Sequence, residues 1–240
     1  TWLLTSPTGP TSDSLFALAE ADLTRALALD PDRARAESVL SLLYETQGRF
    51  AEAREAARRA LAADAYLEDG EQIVIRLFQM SFELGDDEEA GHWCDVIRRT
   101  LPGRWPEAHC DLIMLGWSNG ATVDARKVLY ILENFGANDS PPMRAAMRPR
   151  LMVYAAGALA RAGETARAEQ LIADALRAAP HDVELLYMEA AARIALKDHV
   201  RAAELLRSYI AKQPAARERI RNGRMFKPVQ ARLVAQAPAR

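Results

Sequence analysis

Apolar residues recur along the chain at three- and four-residue spacing, in stretches divided by single glycines and closed by prolines. The clearest example lies between residues 149 and 180. Leu159 and Ala160 end one apolar run, Gly163 separates it from the next, and Ala168, Ile172, Ala175 and Leu176 line the second before Pro180. This period predicts amphipathic helices, each of which must bury its stripe against a neighbour. The same alternation extends over most of the sequence. A helix capped by Ser12 or Asp13 is predicted to run to about Leu29, with Leu15, Ala19, Leu23, Ala26 and Leu27 inward and Asp30-Pro31 as its stop. Asp32 caps a second helix to about Gln47, striped by Leu40, Leu43 and Tyr44 and ended by Gly48, which suits a left-handed C-cap. Its partner spans about 50–63. Further pairs are predicted at 67–84 with 86–100, 106–118 with 122–134, 149–162 with 165–178, and 182–196 with 198–212. Gly136 to Pro142 reads as the clearest loop, and the helical segment after it kinks or restarts at Pro149. Trp2-Leu3-Leu4 reads as the stump of a helix, broken by Ser6-Pro7-Thr8-Gly9-Pro10. One or two short helices are expected after Ala215.

The turns follow a period. Gly48, Gly85, Gly120, Gly163 and Lys197 are separated by 37, 35, 43 and 34 residues, the long interval containing the loop at 136–142. Two helices in about 34 residues is the signature of tetratricopeptide repeats. The chain resembles that family over nearly its whole length. Leu40, Tyr44, Gly48, Ala53, Ala60 and Leu61 occupy the family's large-small pattern in one unit, and Leu77, Gly85, Ala90 and Pro102 in the next. Leu112, Gly120 and Ala125 follow, then Leu159, Gly163, Ala168, Ala175, Leu176 and Pro180, and finally Ala202 and Pro214. Small residues at Ala53, Ala90, Ala125, Ala168 and Ala202 would let helices approach closely. The family's tryptophan position is not kept: Glu37, Val74, His109, Met152 and Leu186 stand there. The resemblance implies an all-α superhelical solenoid of antiparallel helix pairs, with about five repeats, a leading half-repeat and a C-terminal cap. The repeat array is placed at residues 1–214 and the capping helix with a basic tail at 215–240.

Composition narrows the function. Half of the 240 residues are hydrophobic and the formal net charge is −2, which argues against a nucleic-acid or membrane surface over the whole chain. No apolar run reaches membrane-spanning length. Cys94 and Cys110 suit reduced thiols in a cytoplasmic protein, Cys94 acting as a small core hydrophobe. The arginine bias, with lysine only at 127, 197, 212 and 227, is common in bacteria of high GC content. Beginning at Thr1, the sequence reads as a piece of a longer protein.

In the family, the first helix of each pair lines a concave groove. By that resemblance the partner-binding positions are Leu42, Ile75, Gln79, Phe82, Met114, Trp117, Val153 and Tyr187, with an apolar, aromatic middle. Arg150, Gly157 and Arg161 make the groove smaller and more cationic beside Val153. The groove suits an extended peptide or an amphipathic helix; the competing reading has it covered by another part of the same polypeptide. The lysine/asparagine clamp with which some members hold acidic C-termini is missing. His92, Cys94, His109 and Cys110 have ligand types that suit zinc, but their spacing matches no zinc motif, so no metal and no cofactor are expected. Trp93, Trp105 and Trp117 read as packing residues. The acidic run Glu83, Asp86, Asp87, Glu88 and Glu89 reads as a solvated turn, and the basic tail, Arg217 to Arg240, as a cap in which Ile220, Met225, Phe226 and Val229 cover the last repeat. Nucleic acid is expected at most through that tail. Without a phosphate loop, nucleophile elbow or His-Glu motif, the chain is expected to be a non-catalytic scaffold for a protein, a peptide or another domain of its own polypeptide. The alternative is a regulatory or sensor segment of a larger bacterial transcriptional regulator or signalling kinase or cyclase.

Overall fold

The computed structural model describes residues 10–30, 33–64, 70–120 and 122–234. The stump at Thr1–Thr5, the Pro31 stop, the Asp32 cap, the side chains of Ser12 and Asp13 and the end of the basic tail lie outside the described residues. Among the described residues the chain is helical throughout, without strands. In order the helices are α1 (Pro10–Leu29), α2 (Ala34–Thr46), α3 (Phe50–Ala63), α4 (Gly70–Glu83), α5 (Asp87–Thr100), α6 (Trp105–Trp117), α7 (Ala125–Asn134), α8 (Pro141–Arg161), α9 (Thr165–Ala178), α10 (Glu184–Ala195) and α11 (His199–Lys212). The C-terminal segment adds a 3-10 turn at Pro214–Ala216, α12 (Arg217–Asn222), a 3-10 stretch at Arg224–Val229 and α13 (Gln230–Val234). No helix among the described residues is long and apolar enough to cross a membrane. The architecture is an all-α helical repeat.

Four of the turns share one hydrogen-bond pattern. At Gly48 the amide donates to Glu45 O and the next amide, of Arg49, reaches back to Tyr44 O. The same two bonds recur at Gly85 with Asp86, at Gly163 with Glu164 and at Lys197 with Asp198. This is the Schellman ending, which satisfies the last helical carbonyls and needs a left-handed residue. Lys197 adopts φ 64° there, a conformation glycine enters without steric cost.

The chain divides into two compact units, with the boundary inside α5. The first comprises residues up to Trp93 together with Gln213–Arg224. In it α1 packs on α2, α2 on α3 and α3 on α4. Ala57, Ala60, Ile73 and Leu77 form one buried cluster, and Phe16, Leu40, Leu43 and Ala56 another. Ala53 and Ala90 are fully buried, as the small positions of the repeat require.

The second unit comprises Cys94–Lys212 and the chain from Met225. Here the first helices α6, α8 and α10 lie side by side, with α9 against α8 and α11 against α10. Ala168 and Ala202 are fully buried, but Ala125 is half-exposed and α7 buries Val128 and Leu132 instead. Asp124 caps α7 by accepting the Arg126 amide, so the helix starts at Ala125 and this residue lies in its first turn. The loop before α8 is pinned rather than loose. Asn138 donates to Pro102 O, and the buried carboxylate of Asp139 accepts the Trp105 amide at 2.7 Å, capping α6. Helix α8 does not restart at Pro149 but passes through it as one helix of 21 residues. The preceding turn is exposed, so water can serve the carbonyl that proline leaves unbonded.

Candidate functional site

In the first unit the predicted positions divide by exposure. Leu42 on α2 faces solvent at 36 % and Gln79 on α4 is half-buried, while Ile75 and Phe82 are buried. Phe82 is buried beneath the chain's own C-terminal segment. The Arg224 guanidinium lies 4.8 Å from its ring centroid and donates to its carbonyl at 3.2 Å. Asp87 takes both terminal nitrogens of Arg224, Nη2 at 3.0 Å and Nη1 closer still. The Glu83 carboxylate accepts the Arg224 main-chain N–H at 2.6 Å. Glu83 keeps some surface in water, yet burial among these groups pushes its carboxyl up to about 7 against the opposing pull of the Arg224 amide and the Arg219 and Arg224 charges.

The rest of this segment is fixed close by. Ala215 packs on the Phe16, Leu40 and Leu43 cluster. Asn222 donates to Gly48 O at 3.1 Å. The Glu218 carbonyl approaches Gly48 so closely that a Cβ there would lie 2.6 Å from it. Gly48 therefore serves twice, in its turn (φ 70°) and in this backbone contact.

In the second unit Met114 and Trp117 on α6 are half-buried, and Val153 on α8 and Tyr187 on α10 are buried. The Trp117 ring stands edge-on to Tyr154, over Gly157, where a Cβ would lie 2.3 Å from the indole. Arg161 is turned to the Gly116 carbonyl at 2.6 Å, and Arg150 makes a two-point ion pair with Asp182. These arginines answer local acceptors. Tyr187 is covered by Phe226, 4.8 Å away edge-on. His109 is buried between Trp105 and Tyr154, and burial pushes its imidazole down to about 4, so it is neutral at pH 7.

Three expectations are corrected here. The cysteines are not reduced thiols: Cys94 and Cys110 form a disulfide joining α5 to α6. The residues with ligand chemistry that gather are Cys94, Cys110 and Asp111, without His92 or His109, and Asp111 accepts from the Arg98 guanidinium. The acidic run is not a simple solvated turn. Asp86 and Glu89 pair with Arg54, Glu89 also pairs with Arg58, and Asp87 holds Arg224. The C-terminal segment does not cap the last repeat alone. Ile220, Met225, Phe226 and Val229 are buried as expected, but Gln213–Arg224 belongs to the first unit and the residues from Met225 to the second.

Arg224, Asp87 and Glu83 meet at a place that no local sequence pattern marks. Both charge runs were visible, but Asp87 and Arg224 stand 137 residues apart and no local pattern joins them. The tetratricopeptide repeat model matches residues 14–68 and 155–217, which lie in both units. No curated protein matches the chain.

Proposed function

From a chain that carries tetratricopeptide repeats, we propose a non-catalytic scaffold that binds a protein or peptide on the first helices of its pairs. Proteins of this repeat fold generally mediate protein–protein interaction and are typically without catalysis. The observation that supports the reading is the seating of the chain's own C-terminal segment. The stretch that closes the repeats, Pro214–Val229, packs on α2 and the end of α4 through its part in the first unit and on α10 through its part in the second. Helices that hold one such segment by side-chain contacts, main-chain hydrogen bonds and an ion pair have the chemistry to hold another.

Among the expected binding positions, Leu42 with its neighbour Val39 on α2 and Gln79 on α4 keep exposed surface in the first unit, and Met114 and Trp117 on α6 keep some in the second. Ile75 and Phe82 are buried in the first unit, and Val153 and Tyr187 are buried in the second. The test is affinity capture by wild type, Leu42→Glu and Trp117→Ala, with the captured protein identified and its yield measured. Both variants should keep native helicity and lose roughly tenfold or more of that partner. Undiminished capture by both would contradict this use of the face.

A second reading, a regulatory segment of a larger bacterial transcriptional regulator or signalling kinase or cyclase, has support in the same contact. Occupancy by a segment of the same chain is how a repeat module would restrain a tethered domain. The cytoplasmic setting expected from reduced thiols loses its footing with the disulfide, which favours an oxidising environment.

A further inference from the structure

The contact around Arg224 has the parts of a guanidinium pocket. Its walls are the ring and carbonyl of Phe82 at the end of α4 and Asp87 at the start of α5, while the Glu83 carboxylate holds the main-chain N–H of the same arginine. The two carboxylate oxygens of Asp87 meet the two terminal nitrogens of the guanidinium, a fork that a lysine ammonium cannot match. The aromatic face beneath adds an attraction for a planar cation. The Arg224 side chain is only 12 % exposed, so these bonds are made away from most of the solvent.

The occupant also has a pattern. Ile220, fully buried, and Ala216, nearly so, precede Arg224 by four and eight residues and form the inward side of the segment. Helix α12 has six residues, too few to be stable alone, and Gly223 ends it.

We infer that this pocket is a recognition site for an arginine-bearing peptide segment of a partner protein, with an aliphatic residue four positions before the arginine, and that Arg224 occupies it in cis until such a peptide displaces it. The inference rests on the scaffold reading above and names the chemistry of the partner. Tethering gives the cis segment a high effective concentration, so the free chain is self-restrained.

The test uses the full chain and a fluorescent peptide with the sequence of residues 213–229, followed by anisotropy. The Arg224→Ala chain should bind this peptide roughly tenfold or more tightly than wild type does, because the competing guanidinium is gone. Replacing the peptide's own arginine by alanine, or adding Asp87→Asn to the Arg224→Ala chain, should each remove that gain. Arg224→Lys, which keeps the charge but loses the fork, is measured beside it as a milder change to the fold and should also bind more tightly than wild type. Circular dichroism establishes that each chain compared is folded. Binding indifferent to the peptide's arginine and to Asp87, or no gain in either folded Arg224 variant, would overturn the pocket. The scaffold reading is judged separately, by partner capture with Leu42→Glu and Trp117→Ala.

Discussion

His109 stands where the repeat pattern places a tryptophan, and it fills that place as a buried aromatic ring between Trp105 and Tyr154. Its low pKa makes it a source of acid sensitivity. In the folded chain the imidazole stays neutral down to about pH 4, whereas in the unfolded chain it takes a proton near pH 6.5. The folded pKa is depressed, so the stabilisation is present above pH 6.5 and is lost as pH falls through the folded value. That loss is roughly 3 kcal/mol. Urea unfolding between pH 7.5 and 4 should show His109→Phe losing less stability than wild type by about this amount; parallel profiles would contradict it. Glu37, at the same repeat position, takes a different solution. It is buried but makes a two-point ion pair with Arg59. Neither substitution breaks the array, because the position asks for a filled and satisfied space rather than for indole itself.

The helix pairs were legible because their endings are chemical. Gly48, Gly85 and Gly163 meet a real need for a left-handed residue, and the Lys197 turn follows the same hydrogen bonds without glycine. What stayed hidden depends on neighbours in space. The start of α7 at Ala125 is set by the Asp124 cap, and the continuity of α8 through Pro149 is permitted by the exposure of the turn before it. The disulfide was missed because a spacing of 16 residues says nothing until α5 and α6 are seen to bring the two residues within 5.6 Å at Cα. Closing a loop of that length should contribute about 3 kcal/mol. Reductant should therefore lower the urea midpoint of wild type and leave the Cys94→Ala/Cys110→Ala chain unchanged. Equal midpoints for wild type with and without reductant would show that the bond contributes nothing.

At the scale of the molecule, legibility reaches beyond the matched regions: α4, the Gly85 turn and α5 lie between them and follow the predicted pair at 67–84 with 86–100. Residues 14–68 and 155–217 follow the family pattern, while the unmatched middle contains the late start of α7, the pinned loop at 136–140 and the long α8. Each unit also holds part of the C-terminal segment, on Phe82 and Asp87 in the first and on Tyr187 in the second. The groove positions were assigned by repeat register, which says which side of a helix a residue occupies. Register leaves open whether a groove position is free or covered by another part of the polypeptide, and Phe82 and Tyr187 are covered by the chain's own C-terminal segment. The proposed binding side is the first helices of the pairs. Hydrogen–deuterium exchange of the full chain, alone and saturated with the partner it captures, tests this most directly. Protection should rise in Ala34–Thr46, Gly70–Glu83 and Trp105–Trp117. A rise confined to the second helices, Phe50–Ala63 and Thr165–Ala178, with the first helices unchanged, would contradict it.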